Sequence, residues 1–403
     1  MNALGKLNIL QVHNFYQQPG GEDTVAANEK LLLERAGHTV FTYYRNNKEL
    51  NEIHGLGKLT IPFTAVYSFR AYRDIKRLIR EQKIDLVHIH NTHMRISPSA
   101  FYAAWKMGVP AVQTLHNFRL ACPAGVFYRD GHICEECLQK DLSCSIRHSC
   151  YRGSRMQTFV NAAVTMLHRM AGTYRRAYFI CLTEFNRNKL LELNHKGRRV
   201  LDASKIFVKP NFTFHTDIPE ASQTVDNRQF LFVGRLEEMK GIELVVHAFE
   251  QLPELTLCVA GEGPLKVPLQ QYVKEKGLTN IHFLGQLDKK QLDSYYAGSA
   301  ALVVGSQWYE GFPMVITEAY AHGLPVIAGN IGNMGSLIED GKTGVLYAYD
   351  SKEELRRAVS DFAGQEHSKM RQCARAYYEK RLSPQGNLAI LEQIYKDILE
   401  NKH

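Results

Sequence analysis

Twelve short apolar runs, separated by longer stretches of helical periodicity, restrict the fold of this 403-residue chain more than any other feature. Six lie in the first half: LNILQVH, HTVFTYY, IDLVHIH, PAVQTLH, AYFICLT and IFVKPNF. The second half repeats the theme with QFLFVGR, LTLCVAG, IHFLGQL, ALVVGS, PVIAGN and GVLYAY, interleaved with helical segments such as ELVVHAFEQL and KEELRRAVSDFA. Continuous apolar strands alternating with amphipathic helices are the pattern of βαβ units around a parallel sheet buried on both faces. The spacing therefore predicts two doubly wound α/β domains in tandem. They divide into residues 1–212 and 213–382, joined by a polar stretch without periodicity over 211–229. A last helix after Pro384, within 383–403, is expected to cross back to the first domain.

A chain this long with 45% hydrophobic residues can bury more than one core. The opening MNALGKLNILQVHNF lacks the basic, apolar and small-residue order of a secretory signal, and no apolar run approaches the ~20 residues of a membrane helix. A cytoplasmic protein is expected. Its net charge of +8 is unevenly held. Residues 1–210 carry 30 Lys and Arg against 16 Asp and Glu, and residues 211–403 carry 19 against 25. A basic half suits an anionic surface or a phosphorylated partner, or is simply a solvated basic face. Nucleic acid is disfavoured, since no reader motif accompanies the basic residues.

Ligands of open α/β sheets bind at the carboxyl ends of the strands. Gly20 and Gly21 follow the first strand and precede a helix, where bare amides attract an anion such as phosphate. His116 and Asn117 sit at the tip of PAVQTLH. Arg235 and Lys240 follow QFLFVGR, and two cations at a strand tip suit a diphosphate, although a surface pair bridged to Glu237 and Glu238 is equally consistent. In WYEGFPMVITEAYAHGLP, Pro313 fits the first turn of a helix ending near His322, with Gly323 as its stop. Glu310 then lies in the preceding loop and Glu318 inside the helix. The amides of Phe312, Met314 and Val315 face an anion, and the two carboxylates grip sugar or ribose hydroxyls on either side of it.

These residues carry a resemblance. EGFPMVITE matches the Glu, seven residues, Glu motif of retaining GT-B glycosyltransferases. With PGGEDT, TLHNFRLACPAGVFYRDGHICEECL, VGRLEEMKG, AGEGP and IEDGKTGVLY in order, the chain resembles glycosyltransferase family 4 over nearly its whole length. The resemblance implies a GT-B fold, two Rossmann-like domains facing across a cleft, and transfer of a hexose from a UDP- or GDP-sugar with retention. It implies no metal requirement for the transfer itself. Arg235 and Lys240 would hold the diphosphate and offset the charge of bond breakage. Glu310 would bind the donor sugar and Glu318 the ribose. Gly21 would approach the phosphate, and His116 would contact the sugar. The backbone from Gly311 through Phe312, Pro313, Met314 and Val315 would complete the phosphate cradle. Phe312 stands where the family commonly has a small residue. The acceptor side points to a glycan or lipid-linked substrate of polysaccharide or lipopolysaccharide assembly.

Two other classes fit these residues less well. A catalytically silent relative binding sugar nucleotide or membrane as a scaffold would not need Arg235, Lys240, Glu310 and Glu318 together. A nicotinamide oxidoreductase would want G-x-G-x-x-G, which QQPGGEDTVA lacks.

A cysteine-rich insertion over 122–150 holds Cys122, Cys134, Cys137, Cys144 and Cys150. In a reducing compartment this is either a structural zinc site, with Cys134, Cys137, Cys144 and Cys150 as ligands, or a compact reduced loop. Finally, Met156, Phe159, Val160, Ala163, Leu167 and Met170 share a helical face beside many arginines. That face reads as core packing or as an interfacial helix meeting anionic headgroups at the inner face of a membrane.

Overall fold

The structure is a computed structural model that describes residues 5–17, 20–195, 197–214 and 225–401. The linker expected over 211–229 therefore lies partly outside the described residues. The chain divides into two compact units. The first comprises Met1–Phe127, Glu135–Asn211 and Asn387–His403, and the second Tyr128–Cys134 and Phe212–Gly386.

In chain order the strands are β1 (Asn8–Phe15), β2 (Thr39–Asn46), β3 (Leu86–Ile89), β4 (Ala111–Leu115), β5 (Tyr128–Arg129), β6 (His132–Ile133), β7 (Tyr178–Cys181) and β8 (Asn194–His195). There follow β9 (Arg198–Arg199), β10 (Ile206–Val208), β11 (Asp226–Val233), β12 (Thr256–Ala260), β13 (Ile281–Gly285), β14 (Ser299–Val304), β15 (Val326–Gly329) and β16 (Gly344–Tyr347). Each of the twelve apolar runs contains one strand of two six-stranded sheets, ordered β10-β7-β4-β3-β1-β2 and β13-β12-β11-β14-β15-β16. Every pairing within these sheets is parallel. The second order is that of a dinucleotide-binding sheet, with its topological switch between β11 and β14. The remaining short strands form two antiparallel hairpins, β5–β6 and β8–β9.

Side-chain alternation explains the layers. On β11, Phe230 and Phe232 pack into one buried cluster and Leu231 into another, so both faces of the sheet are covered. In the first unit the C-terminal helix, Pro384–Glu400, brings Leu391, Ile394, Tyr395 and Ile398 into the cluster built on Ile9, Leu33, Leu86, Val112 and Ile180.

The helix Arg155–Met170 is turned the other way from a core helix. Thr158, Asn161, Thr165, His168 and Arg169 are buried. Met156, Phe159 and Met170 are 78, 58 and 64% exposed. The buried polar groups have partners: His168 Nε2 lies 3.0 Å from the Val66 carbonyl and Nδ1 3.0 Å from Thr173 Oγ1, while Arg169 donates to the Leu120 carbonyl. Core packing of the apolar face, one of the two readings of the sequence, is overturned. The helix hangs on its polar side; Met156, Phe159, Leu167 and Met170 are left to solvent, while Val160 and Ala163 are half-buried.

All eight cysteines are free thiols. Cys137 and Cys144 are buried against Leu142 and Ala162. Burial, with Cys122 next in weight, pushes the Cys137 thiol up to about 12. Cys134 falls in the second unit, whereas Cys137, Cys144 and Cys150 fall in the first. Among the described residues, no three cysteine sulfurs lie within 4.8 Å of one another.

Candidate active site

In the second unit, the strand tips on either side of the topological switch carry the residues that matter. β11 ends at Val233 and is followed by Gly234 and Arg235; a short turn, Glu238–Lys240, leads through Gly241 into the helix Ile242–Phe249. β14 ends at Val304 and is followed by Gly305, Ser306 and the loop bearing Glu310. The two exits are locked together by backbone contact. Gly241 has φ +64°, and a Cβ placed on it would meet the Gly305 carbonyl oxygen at 1.8 Å. The Gln307 N–H donates to the Met239 carbonyl at 2.9 Å. Backbone held this closely fixes the distance between the lysine loop and the glutamate loop.

The result is an ion pair. Lys240 Nζ lies 2.7 and 2.9 Å from the two Glu310 carboxylate oxygens, and Ser306 Oγ donates to Oε1 at 2.6 Å. Asn333 Nδ2 donates to the Glu310 carbonyl and, at 2.8 Å, to that of Gly311. Glu310 is only 6% exposed. An ammonium has three hydrogens and Glu310 engages at most two, so Lys240 keeps a donor for a second anion. Arg235 is 65% exposed in its side chain, with Nε 3.2 Å from Glu237 Oε2, as the surface-pair alternative required for that one contact.

Arg235, Lys240, Glu310, Ser306 and Phe312–Val315 line one cavity of about 210 Å³, together with the ends of β11 and β14. Pro313 is the N-cap of the helix Met314–Ala321, one position earlier than the first turn expected for it, and Gly323 follows the C-cap with φ +63°. The N-cap offers no side-chain cap; the Ile316 N–H donates to the Pro313 carbonyl at 3.1 Å, and the amides of Met314 and Val315 remain available to an anion in the cavity. Glu318 lies one turn further along, half-buried, its Oε2 accepting from Tyr296 Oη at 2.8 Å. Burial raises its pKa above the usual carboxylate range. Ser306, Asn333 and Tyr296 were missed by sequence reasoning, because nothing in their spacing separates them from ordinary loop and core residues.

In the first unit, His116 follows β4 and lines a cavity of about 80 Å³ with His90, His93, Asn117 and Arg119. Burial holds the His93 and His116 rings well below the usual histidine range, so both are neutral. Gly20 is the N-cap of the helix Gly21–Arg35 with φ −126°, a conformation open to any residue, and a Cβ on Gly21 would meet nothing within 4 Å. Neither glycine is required here by φ or by a close neighbour. The helix start is moreover acidic: Asp23 Oδ2 accepts the Gly20 N–H at 3.0 Å, while Oδ1 sits 2.8 Å from His13 Nε2. The adjacent Glu22 is raised to about 7, chiefly by burial.

Beneath this cavity lies a buried cluster that the sequence did not announce. Glu29, His88 and Lys209 are each 0% exposed and His90 is 2%. Glu29 Oε1 is 2.9 Å from His88 Nδ1 and 3.1 Å from His90 Nε2, and Oε2 is 3.1 Å from Lys209 Nζ. Glu29, His88 and His90 are the one group among the described residues whose donor atoms are close enough to share a metal ion. Lys209 already supplies the cation there. His88 in β3 and His90 directly after it, at alternate positions of LVHIH, were the available signal.

Residues 215–381 match the family model described as glycosyl transferases group 1, and residues 19–213 match that of Glycosyltransferase Family 4. The chain is 23% identical over 368 residues to an uncharacterized glycosyltransferase of Methanocaldococcus jannaschii, covering 89% of each. It is 28% identical over 295 residues to the glycogen synthase of Mycobacterium tuberculosis, covering 70% of this chain and 60% of that protein. Among solved structures, a glycosyltransferase from Rickettsia africae superposes with a TM-score of 0.68 at 19% identity, covering 99% of this chain and 100% of that one. Anabaena Alr3699/HepE in complex with UDP gives 0.63 at 18%, covering 98% and 100%. These structural neighbours share the GT-B arrangement of two Rossmann-like units.

Proposed function

We propose a function from one premise: this chain belongs to the group 1 glycosyl transferases. It moves a hexose from a nucleotide-diphosphate sugar to a glycan or lipid-linked acceptor in polysaccharide or lipopolysaccharide assembly, with retention of anomeric configuration. The observation that carries this reading is the convergence of Arg235, Lys240, Glu310 and the uncapped amides of Met314–Ala321 on one cavity at the β11/β14 switch. A diphosphate leaving group gathers negative charge as the glycosidic bond breaks, and preplaced cations and amides stabilise that charge more than they stabilise the ground state. Lys240 offers its spare N–H and Arg235 its planar fork. Glu310, tied to Lys240 and Ser306, holds sugar hydroxyls. Glu318 has one oxygen taken by Tyr296, leaving Oε1 for the ribose. The UDP complex of the Anabaena protein supports a nucleotide donor.

Because two side-chain cations stand at the diphosphate position, divalent metal is not needed for the transfer. Incubation with UDP- or GDP-hexoses and a glycan acceptor is expected to release nucleoside diphosphate at a rate unchanged by EDTA. The matching donor is also expected to raise the thermal midpoint by mass action. Failure of every such donor both to stabilise the protein and to release nucleotide would reject the reading.

The acceptor side of this function sits at an anionic membrane surface on the cytoplasmic face. No helix among the described residues is long and apolar enough to cross a membrane. The exposed apolar face of Arg155–Met170 is joined by Phe63, 76% exposed, on the neighbouring helix Ile61–Val66. The helix Phe69–Glu81 buries Ala71, Ile75 and Ile79 and exposes Arg70, Arg73, Arg77 and Arg80. Apolar side chains for the acyl boundary and cations for the headgroups are the two components of interfacial binding. Flotation should therefore show binding to vesicles containing phosphatidylglycerol that weakens with salt and drops several-fold in Phe159→Ser/Met170→Ser. Binding indifferent to lipid charge and to both substitutions would remove this part of the proposal.

A further inference from the structure

We propose that the cavity of the first unit is an anion site in which Arg119 binds the phosphate ester of a lipid-linked acceptor. That the ligand is an acceptor rests on the function proposed above; the anion site itself does not.

The inference starts from an unbalanced charge. The cavity wall carries one formally charged side chain, Arg119, and no Asp or Glu. Its histidines add no charge, since burial keeps His90, His93 and His116 below the usual histidine range. Among the described residues no carboxylate stands within ion-pair distance of Arg119, and its one hydrogen-bonded side-chain partner is Tyr16, whose Oη accepts from Nη1 at 2.9 Å. Nε is buried without a hydrogen bond; Nη2 also makes none and, unlike Nε, remains open to solvent. Arg169 repeats the arrangement one layer back. It is 9% exposed, donates to the carbonyl of the wall residue Leu120, keeps Nε buried without a partner and has no ion pair.

Glu22 is the carboxylate that acts most strongly on Arg119, and Tyr16 is hydrogen-bonded to both. Burial raises Glu22 to about 7, so near neutral pH it supplies only about half a charge. A guanidinium withdrawn from water without a full counter-charge is costly, and an entering anion removes that cost. Thr165 Oγ1 and Asn117 Nδ2 line the same cavity with no hydrogen bond of their own. Donors from the β4 exit and from a helix suit the three outer oxygens of a phosphate ester better than the two of a carboxylate.

Another part of the wall indicates what carries the phosphate. Ala65 belongs to the helix Ile61–Val66, and Asn161, Val164 and Thr165 to Arg155–Met170. The outward sides of these two helices expose Phe63, Phe159, Leu167 and Met170. The cavity is therefore about one helix diameter, roughly 10 Å, from an apolar surface, which a lipid chain requires and a lipid-free glycan does not. The inward polar side of Arg155–Met170 has the same explanation, because Asn161 and Thr165 are turned toward the anion.

Titration calorimetry of the full chain with farnesyl phosphate and with glycerol phosphate tests the site. Farnesyl phosphate is expected to bind at least about tenfold more tightly than glycerol phosphate. Arg119→Gln should weaken its binding about 10- to 100-fold, with partial recovery in Arg119→Lys. Asn161→Asp, nearly isosteric, sets a negative charge in the wall and should weaken it at least about tenfold. Tyr16→Phe and Lys240→Met should each leave it within about threefold. Unchanged affinity in folded Arg119→Gln or Asn161→Asp would overturn the site, as would a loss in Tyr16→Phe equal to that in Arg119→Gln. Equal affinity for the two esters would overturn the lipid-borne phosphate. Absence of donor-dependent nucleotide release with Arg119-dependent binding intact would instead reject the proposed function and leave the anion site standing.

Discussion

Lys240→Met is expected to lower donor-dependent nucleotide release about 10²- to 10³-fold, the effect of removing one preorganised group from a developing negative charge. The loss should fall mainly on kcat, because the lysine interacts more strongly with the departing diphosphate than with the intact donor. Glu310 is 6% exposed and accepts from Lys240 and Ser306. Removing the lysine strands a largely buried carboxylate, and some loss of stability will accompany the loss of activity. Lys240→Met/Glu310→Gln separates the two effects: the neutral amide keeps the Ser306 contact, so the thermal midpoint should recover toward wild type while turnover stays low. Turnover in Lys240→Met within threefold of wild type would remove the lysine from the mechanism.

Gly241→Ala should cost at least about 3 kcal/mol of stability. Two penalties add. A non-glycine residue in the left-handed region costs roughly 1–2 kcal/mol, and the new methyl would stand 1.8 Å from the Gly305 carbonyl oxygen. That oxygen is backbone, so relief requires the β14 exit loop to move, and Glu310 with it. Gly277→Ala is the control. Gly277 has the same φ of +64° but nothing within 4 Å of a new Cβ, so it should cost only the backbone strain. Chemical denaturation of both variants reads the difference. Equal midpoint shifts would mean that the two loops are not in fixed contact. The activity of Gly241→Ala should fall further than its stability predicts, since the Lys240–Glu310 geometry depends on the same approach.

Much of this was legible beforehand, for reasons that can be named. Parallel strands buried on both faces are apolar along most of their length, so LVHI, His88 apart, and SAALVV, after Ser299, identify themselves. The helix after β14 is bracketed by Pro313 and Gly323, whose backbone preferences are local and visible in the sequence. Arg235, Lys240 and Glu310 follow strand ends directly, and strand ends determine where they converge. What stayed hidden depends on which way a helix faces. On the helix Gly21–Arg35, Glu29 lies three and four residues from Val25, Ala26, Leu32 and Leu33, on the buried face, where a carboxylate is not expected; Lys209 and two histidines stand beside it. On Arg155–Met170 the apolar stripe left core packing and an interfacial face both open, and Asn161, Thr165 and His168 occupy the inward side. Periodicity identifies two faces of a helix and is silent on which one turns inward when the buried polar groups are satisfied. Gly20 and Gly21 taught the opposite lesson: the pair suggested a tight approach, and their φ values and surroundings require none.

The helix Pro384–Glu400 has a consequence for the life of the chain before it reaches any substrate. Leu391, Ile394, Tyr395 and Ile398 complete a hydrophobic cluster whose other members lie within the first 180 residues. During synthesis that cluster stays incomplete until residues 391–398 leave the ribosome, long after its own strands have emerged. At about 5–20 residues per second the delay is on the order of ten seconds or more. Throughout that interval an apolar groove beside Ile9 and Leu86 is open, and early termination upstream of Leu391 would leave it open for good.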